Sequence, residues 1–516
     1  MTFGDPPGNL WAAMRDVWIA GADMTRVGRL AEPLQDLMAV AAHAALRSAD
    51  RERPDSIVVA TMNPEEFLGD GNFASNVATH MGFANVPVIR VETATSSGAA
   101  AFYAGFAQIA SGLAHTVLVV GGEKMTHLPT PKVSELIGRS LDPYERSYGT
   151  TMPAFAALVT RALMARHGVG ERELAQVAVK NHANGARNPL AHFREEITLE
   201  MVLGSRMVAD PLRLYHCCPI SDGAAAIVLT AERATVRVAG IGQGTDALAL
   251  RHRESLTSFR ATQAAASAAF AMAGFGPERI DVAEIHDAFT PFELISLEDV
   301  GLFPPGKSAA ATLDGETSLE GRLPINPSGG LKARGHPLAA TGLAQIVECV
   351  WQLTGCVPRR QVQCSVALAQ SIGGPGTNNW VTILESRPGM RSHAAPISGH
   401  PRSKPASRTP LQLIEHLPAS RCPECRLVAA PPTRWCPRHP VEMTPTSVMG
   451  GGEVVSFTTL LSPPAGFRSP LHIALVDLVG GARLVCHGDK TQGLRIGSWV
   501  AIEAVGNVYY FSHLGT

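Results

Sequence analysis

At 516 residues, with 45% hydrophobic and 17% charged side chains, the chain is too long for one ordinary domain and too apolar for disorder. Two to four folding units around large buried cores are expected. Lys and Arg total 44 against 45 Asp and Glu, a balance that points away from nucleic acid and anionic membranes as partners.

The N-terminus, "MTFGDPPGNLWAAMRDVWIAGADMT", carries acidic residues and an early Pro pair but no apolar signal core. Residues 1–13 read as an extension, and no secretion signal is expected. From residue 14 to about 388 the pattern is α/β. Short apolar strands ("DVWIAG", "SIVVATM", "TVLVVGG", "AAIVLTA", "VRVAGIG", "VQCSVALAQS") alternate with Ala-rich helical stretches. Two strand–helix series, 14–235 and 236–388, predict a two-half αβαβα body. Within the first, about 123–220 is polar and loop-rich with "HANGARNPLAHF" at its centre, which predicts a loop subdomain over one face.

Thr93 to Gly122 contains no Asp, Glu, Lys or Arg. Its Gly, Ser and Thr content, and its division into a helix and the strand "TVLVVGG", predict an element buried inside protein and no membrane span. This run begins at a corner. "VPVIRVE" leads into Thr95, Ser96 and Ser97 and then into a helix, a place suited to a nucleophile, yet no Cys precedes Cys217.

Residues 389–408 are rich in Pro, Ser and Arg and read as an extended linker. A helix candidate, "PLQLIEHL", opens segment 409–445, which also holds "RCPECRLVAAPPTRWCPRH". Cys422, Cys425, Cys436 and His439 are spaced C-x2-C-x10-C-x2-H, two paired turns that suit one tetrahedral Zn²⁺. Four protein ligands leave no position for water, so a structural ion is expected. Alternating strands from 446 to 516, such as "EVVSFTTLL" and "HIALVDLV", predict a small OB-like barrel. Other Cys residues lie in apolar runs such as "IVECVW", where reduced, packed thiols and a cytoplasmic setting are expected.

Three further turns carry chemistry: "EIHDAFTPFELISLEDVGL" with His286 and Asp287, "NPSGGLKARGHPLAATGLAQIVE" with His336, and "ALAQSIGGPGTNN" with Gly373, Gly374 and Gly376. Together "VETATSSGAAA", "HDAFT", "GGLKARGHPLAATG" and "SIGGPG" resemble the active-site loops of the thiolase superfamily. The text from "KMT" to "CCPISDGAAAIVLTA" looks like its lipid-transfer-protein and archaeal branch, and the resemblance spans nearly all of 14–388. The tail resembles the zinc-ribbon plus OB-fold proteins that accompany this branch as acyl-CoA-binding partners, here fused to the body.

The resemblance implies a CoA thioester substrate and a homodimer or higher assembly. It places the family's nucleophilic Cys at Thr95 and its acid/base Cys at Ala288 or Ser371, so all three thiol positions lack sulfur. Both His positions are filled. By resemblance, His336 and a water held by His286 donate to the thioester oxygen, and the N–H groups of Thr95 and Gly373 form a second oxyanion site. A Thr hydroxyl is far less acidic than a thiol and yields a poorly activated ester. An enolate site without a thiol suits aldol or retro-aldol chemistry between an acyl-CoA and a carbonyl compound. Relatives that pair with zinc-ribbon–OB partners include aldolases acting on steroid side-chain thioesters; those resemble a version with Tyr at both His positions. The alternatives are C-acyl transfer through Thr95 or a partner's Cys, and a non-catalytic acyl-CoA-binding scaffold.

Overall fold

The computed structural model describes residues 14–387, 416–436, 438–460, 471–488, 494–505 and 508–513. The expected extension 1–13 and linker 389–408 lie outside these. So does most of the helix candidate at 410–417, whose last two residues, His416 and Leu417, open a strand. Two compact units separate, one holding residues 14–78 and 85–387 and the other the described residues from 416 onward.

The first series runs β1 (Trp18–Met24), α1 (Leu34–Ser48), β2 (Ser56–Ala60), α2 (Pro64–Phe67), α3 (Phe73–His80), β3 (Val88–Val91), α4 (Ser97–Ala110) and β4 (Thr116–Glu123). There follow α5 (Thr130–Gly138), α6 (Pro143–Ser147), α7 (Met152–His167), α8 (Glu171–Ala186) and α9 (Leu199–Leu203). The ribbon β5 (Met207–Ala209) and β6 (Leu212–Arg213) leads to β7 (Gly223–Thr230). The second series is β8 (Val236–Thr245), α10 (Arg260–Ala273), β9 (Val282–Glu284), α11 (Thr290–Asp299), α12 (Ser308–Leu313), α13 (Gly330–Ala333), α14 (Leu338–Thr354), β10 (Val366–Ser371) and β11 (Asn378–Ser386).

The sheet order is β3-β2-β4-β7-β1-β8-β11-β10-β9. Only Trp18↔Arg237 and Ile19↔Val236 join β1 to β8, so two half-sheets meet at a narrow seam. Helices α4 and α14 pack on strands of the half-sheets from between them, while α1 covers one outer face and α10 the other. These are the five layers expected from the alternating pattern. Every residue of α14 from Leu338 to Leu353 is buried. Its one acid, Glu348, is held by the Arg360 guanidinium at 2.8 Å.

The central helices meet backbone to backbone. A Cβ on Gly98 of α4 would sit 2.3 Å from the Ala339 carbonyl of α14, and one on Gly342 would sit 2.6 Å from Ala99 N. Gly98→Ala is therefore expected to destabilise the protein by about 3 kcal/mol, the upper range for overpacking a rigid core. Chemical denaturation that shows no change would mean the crossing relaxes freely.

The region expected to be polar loop is largely helical. Helix α8 buries Leu174, Ala175, Val177 and Ala178 in its first half but Lys180, Asn181, His182 and Asn184 in its second, so its apolar stripe stops where the inward face turns polar.

In the second unit, β12 (His416–Arg421) pairs with β13 (Val428–Ala429) and β14 (Thr444–Met449). Strands β15 (Gly451–Leu460), β16 (Leu471–Leu478), β17 (Arg483–Gly488), β18 (Trp499–Val505) and β19 (Val508–His513) close into a five-stranded barrel. Alternate residues such as Val454, Val476, Leu484, Val500 and Ile502 fill its core. Among the described residues, no helix is long and apolar enough to cross a membrane.

Candidate active site

Strand β2 runs parallel to β3 and β4, and β9 runs parallel to β10. The turns at Thr95, His286 and Gly373 sit at the carboxyl ends of β3, β9 and β10, where open α/β sheets leave their crevices, and the turn at His336 joins α13 to α14.

The corner after β3 is tied down by its own hydroxyls. Ala94 has a left-handed backbone, φ +54°. Ser97 Oγ donates to the Ala94 carbonyl (2.6 Å) and accepts from Thr93 N–H (2.9 Å). Ser96 Oγ lies 2.9 Å from the carbonyl oxygens of both Thr93 and Asn378. Thr95 Oγ1 donates to the Ile372 carbonyl at 2.7 Å and accepts the Gly374 N–H at 3.1 Å. Its proton and a lone pair are thus committed to the glycine turn. Gly373 N–H points to Asn379 Oδ1 at 3.3 Å, and a Cβ there would come within 2.4 Å of Ser96 Oγ. Ser371 Oγ, at the end of β10, is buried without a hydrogen-bond partner among the described residues.

His286 and His336 come together, with ring centroids 5.2 Å apart and planes at 86°. Ile372 N–H donates to His286 Nδ1 (3.2 Å), and Thr341 Oγ1 lies 2.7 Å from His336 Nδ1. Burial, helped by the Arg334 cation, pushes the His336 imidazole down to about 3. Burial also holds His286 well below the usual range, with His336 and Arg334 adding to it. Both rings are therefore neutral near pH 7, able to donate one hydrogen bond each without bringing a charge.

Two buried carboxylates brace the pair. Asp287 accepts from Leu331 N–H at 2.6 Å, Lys332 N–H at 3.3 Å and Asn181 Nδ2 at 2.6 Å. Gly330, φ +58°, leaves room for it: a Cβ would meet Asp287 Oδ2 at 2.4 Å. Glu284, two residues before His286, binds Arg334, two before His336, at 3.2 Å and accepts the Ser328 hydroxyl at 2.8 Å. Asn181 also reaches Glu293 (2.8 Å), which the Lys180 ammonium approaches at 3.0 Å. Burial and the neighbouring Glu293 raise Asp287 to about 6. Of this network only Asp287 stood out in the sequence. Ala288 lies against Cys218, whose N–H donates to its carbonyl at 2.9 Å. Burial lifts the Cys218 thiol to about 12 and the Cys217 thiol to about 11, so neither offers a ready thiolate.

In the second unit, Cys422, Cys425, Cys436 and His439 converge, with one ligand atom of each within 4.8 Å of all the others. Cys425 Sγ lies 3.7 Å from Cys436 Sγ, which lies 3.8 Å from His439 Nδ1. Four soft donors on a tetrahedron with bonds of about 2.3 Å stand about 3.8 Å apart, so the set fits Zn²⁺. The amides of Cys425 and Arg438 approach Cys422 Sγ (3.5 Å) and Cys436 Sγ (3.4 Å), contacts that favour the thiolates a metal requires.

A family model for the thiolase N-terminal domain matches residues 17–233, and one for a thiolase C-terminal domain-like fold matches 242–386. A model of the ChsH2 C-terminal OB-fold domain matches 446–505. The acetyl-CoA acetyltransferase of Methanothermobacter thermautotrophicus is 40% identical over 72% of this chain and 100% of its own. The benzoylsuccinyl-CoA thiolase subunit BbsB of Thauera aromatica is 32% identical over 70% of this chain and 95% of its own. Among solved structures, the Ltp2-ChsH2(DUF35) aldolase matches with a TM-score of 0.63 at 23% identity, covering 72% of this chain and 98% of that one. At that identity the match speaks for the fold.

Proposed function

The chain belongs to the thiolase family, and from that premise we propose that it makes or breaks a C–C bond beside an acyl-CoA thioester through an enolate, by aldol or retro-aldol chemistry. The observation that carries this reading is the pairing of two neutral imidazoles with a Thr95 hydroxyl already bound to the glycine turn. In the cleavage direction, the proton of a β-hydroxyl passes to water and its oxygen becomes a carbonyl. The Cα–Cβ electron pair moves into the thioester, and the enolate oxygen takes hydrogen bonds from His336 and from His286, directly or through water. A solvent proton then reaches Cα, releasing a shorter acyl-CoA and an aldehyde or ketone. No free CoA is consumed. Donors aimed at such developing charge act strongly in a buried site.

Ser371, with its unpartnered hydroxyl, is a candidate contact for the substrate's carbonyl or hydroxyl oxygen. The backbone N–H groups of Thr95 and Gly373 are assigned to a second oxyanion site, for which Gly373 must release Asn379. Cys422, Cys425, Cys436 and His439 would hold a structural Zn²⁺, which, with four protein ligands, cross-links the ribbon and takes no part in the reaction. Strand β3 is a sheet edge with Ile89 48% exposed, which supports a homodimer through that edge.

The second reading, acyl transfer through Thr95, is favoured by the 40% identity to a relative named acetyl-CoA acetyltransferase. One experiment separates the two. Thr95→Ala is expected to retain at least about a tenth of the wild-type rate on β-hydroxyacyl-CoA substrates, a change of roughly 1.4 kcal/mol in barrier. Intact-mass measurement after incubation with acyl-CoA is expected to show unmodified protein. An acyl group on Thr95, or a folded but dead Thr95→Ala, would transfer the assignment to the acyltransferase.

A further inference from the structure

Which nitrogen of each imidazole carries its proton decides whether the pair can donate, accept or do both. For His286 the answer follows from one contact. A backbone N–H can only donate, so Nδ1, at 3.2 Å from Ile372 N, holds a lone pair, and the neutral ring is protonated at Nε2.

His336 is less constrained, because a hydroxyl can play either part. Thr341 settles it by its surroundings. Its side chain lies in α14 with 0% exposure, and its hydroxyl has one hydrogen-bond partner among the described residues, His336 Nδ1 at 2.7 Å. If Nδ1 were protonated and donated to Thr341, the hydroxyl proton would be left buried with nothing to accept it, a state that folded proteins avoid. The arrangement that satisfies both groups has Thr341 donating and His336 Nδ1 accepting. The His336 ring is also fixed from its backbone, whose N–H donates to Ser221 Oγ at 3.3 Å.

We propose that Thr341 is a positioning residue that holds His336 in the Nε2–H form, so that both imidazoles of the pair are hydrogen-bond donors and neither is the resting general base. This rests on the enolate reading for its catalytic meaning, though the protonation pattern itself does not depend on that reading. Neither Nε2 has a partner among the described residues. Two Nε2–H groups on perpendicular rings can converge on one enolate oxygen. With no ring lone pair free, the β-hydroxyl proton must leave to water.

The test begins on the substrate-free, full-length protein with ¹⁵N-labelled histidine. Signals are assigned by their loss in His286→Gln and His336→Gln. The expected wild-type spectrum shows an unprotonated Nδ1 and a protonated Nε2 for both rings; a protonated Nδ1 in His336 overturns the proposal. Thr341→Val is then expected to shift the His336 signals toward the other form. It should also lower kcat by about ten- to a hundredfold with KM changed less than about threefold, a partial loss of one oxyanion donor. Thr341→Ser is expected to restore both spectrum and rate. A Thr341→Val enzyme with wild-type kcat and spectrum overturns the assignment, and should that variant fail to fold, the wild-type spectrum and Thr341→Ser decide. If no β-hydroxyacyl-CoA is cleaved while the spectrum is as expected, the enolate reading fails and the tautomer assignment stands.

Discussion

Alanine in place of His336, and separately in place of His286, is expected to lower turnover by about two to three orders of magnitude, the scale of losing an oxyanion donor in a buried site. The effect should fall on kcat, since the enolate oxygen gains its charge only as the C–C bond breaks. Folding should persist. The turn that carries His286 is held by Gln370 Oε1 on the His286 N–H (3.0 Å), Asn326 Oδ1 on the Ile285 N–H (2.7 Å) and Asp287 on α13. None of these contacts uses an imidazole. The double variant should lose less than the product of the single losses, because two donors on one oxygen act as a unit. Rates on a panel of β-hydroxyacyl-CoAs, with circular dichroism as the folding control, check this. Activity within a few-fold of wild type in both variants would remove the pair from the mechanism.

The α/β layers were legible because each central element is uniform along its length. The absence of charge from Thr93 to Gly122 marks α4 and β4, and apolar runs mark β1, β2, β7, β8 and β10. Strand β9 escaped because it is only three residues long, and β11 because it opens on the polar pair Asn378–Asn379. The braces behind the histidines were invisible for another reason. Lys180, Asn181, Glu284 and Arg334 are residue types that normally face solvent, and only their partners, distant in sequence, make burial tolerable. Thr341 looks in the sequence like any hydroxyl in a helix. Its meaning depends on the ring five residues earlier folding back onto it. The corner at Thr95 to Ser97 shows its hydroxyls in the sequence but not their partners, the carbonyls of Ile372, Asn378 and Ala94, of which two lie far along the chain.

The second large effect is expected from the metal ligands. Purified protein should contain one zinc per chain, and Cys422→Ser should contain almost none. The physical case is the small size of the ribbon. Strands β12 and β14 have six residues each and β13 only two, and the cluster around Cys422, Cys436 and Met443 contains few large apolar side chains. So little buried surface cannot order the turns at Cys422–Cys425 and Cys436–His439 against their conformational entropy. Binding of about 10–16 kcal/mol, the range for structural zinc in small peptides, can. Folding of the ribbon should therefore track the metal. In Cys422→Ser, or in wild type treated with a strong chelator, limited proteolysis is expected to cut first between Cys422 and Thr444, with fragments mapped by mass. Leu417, Ala419 and Val448 of the ribbon share a core with Val476 and Leu484 of the barrel, so barrel fragments should follow more slowly. A wild-type protein that is free of metal and still resists cleavage in this segment would mean that the four ligands are held by packing alone.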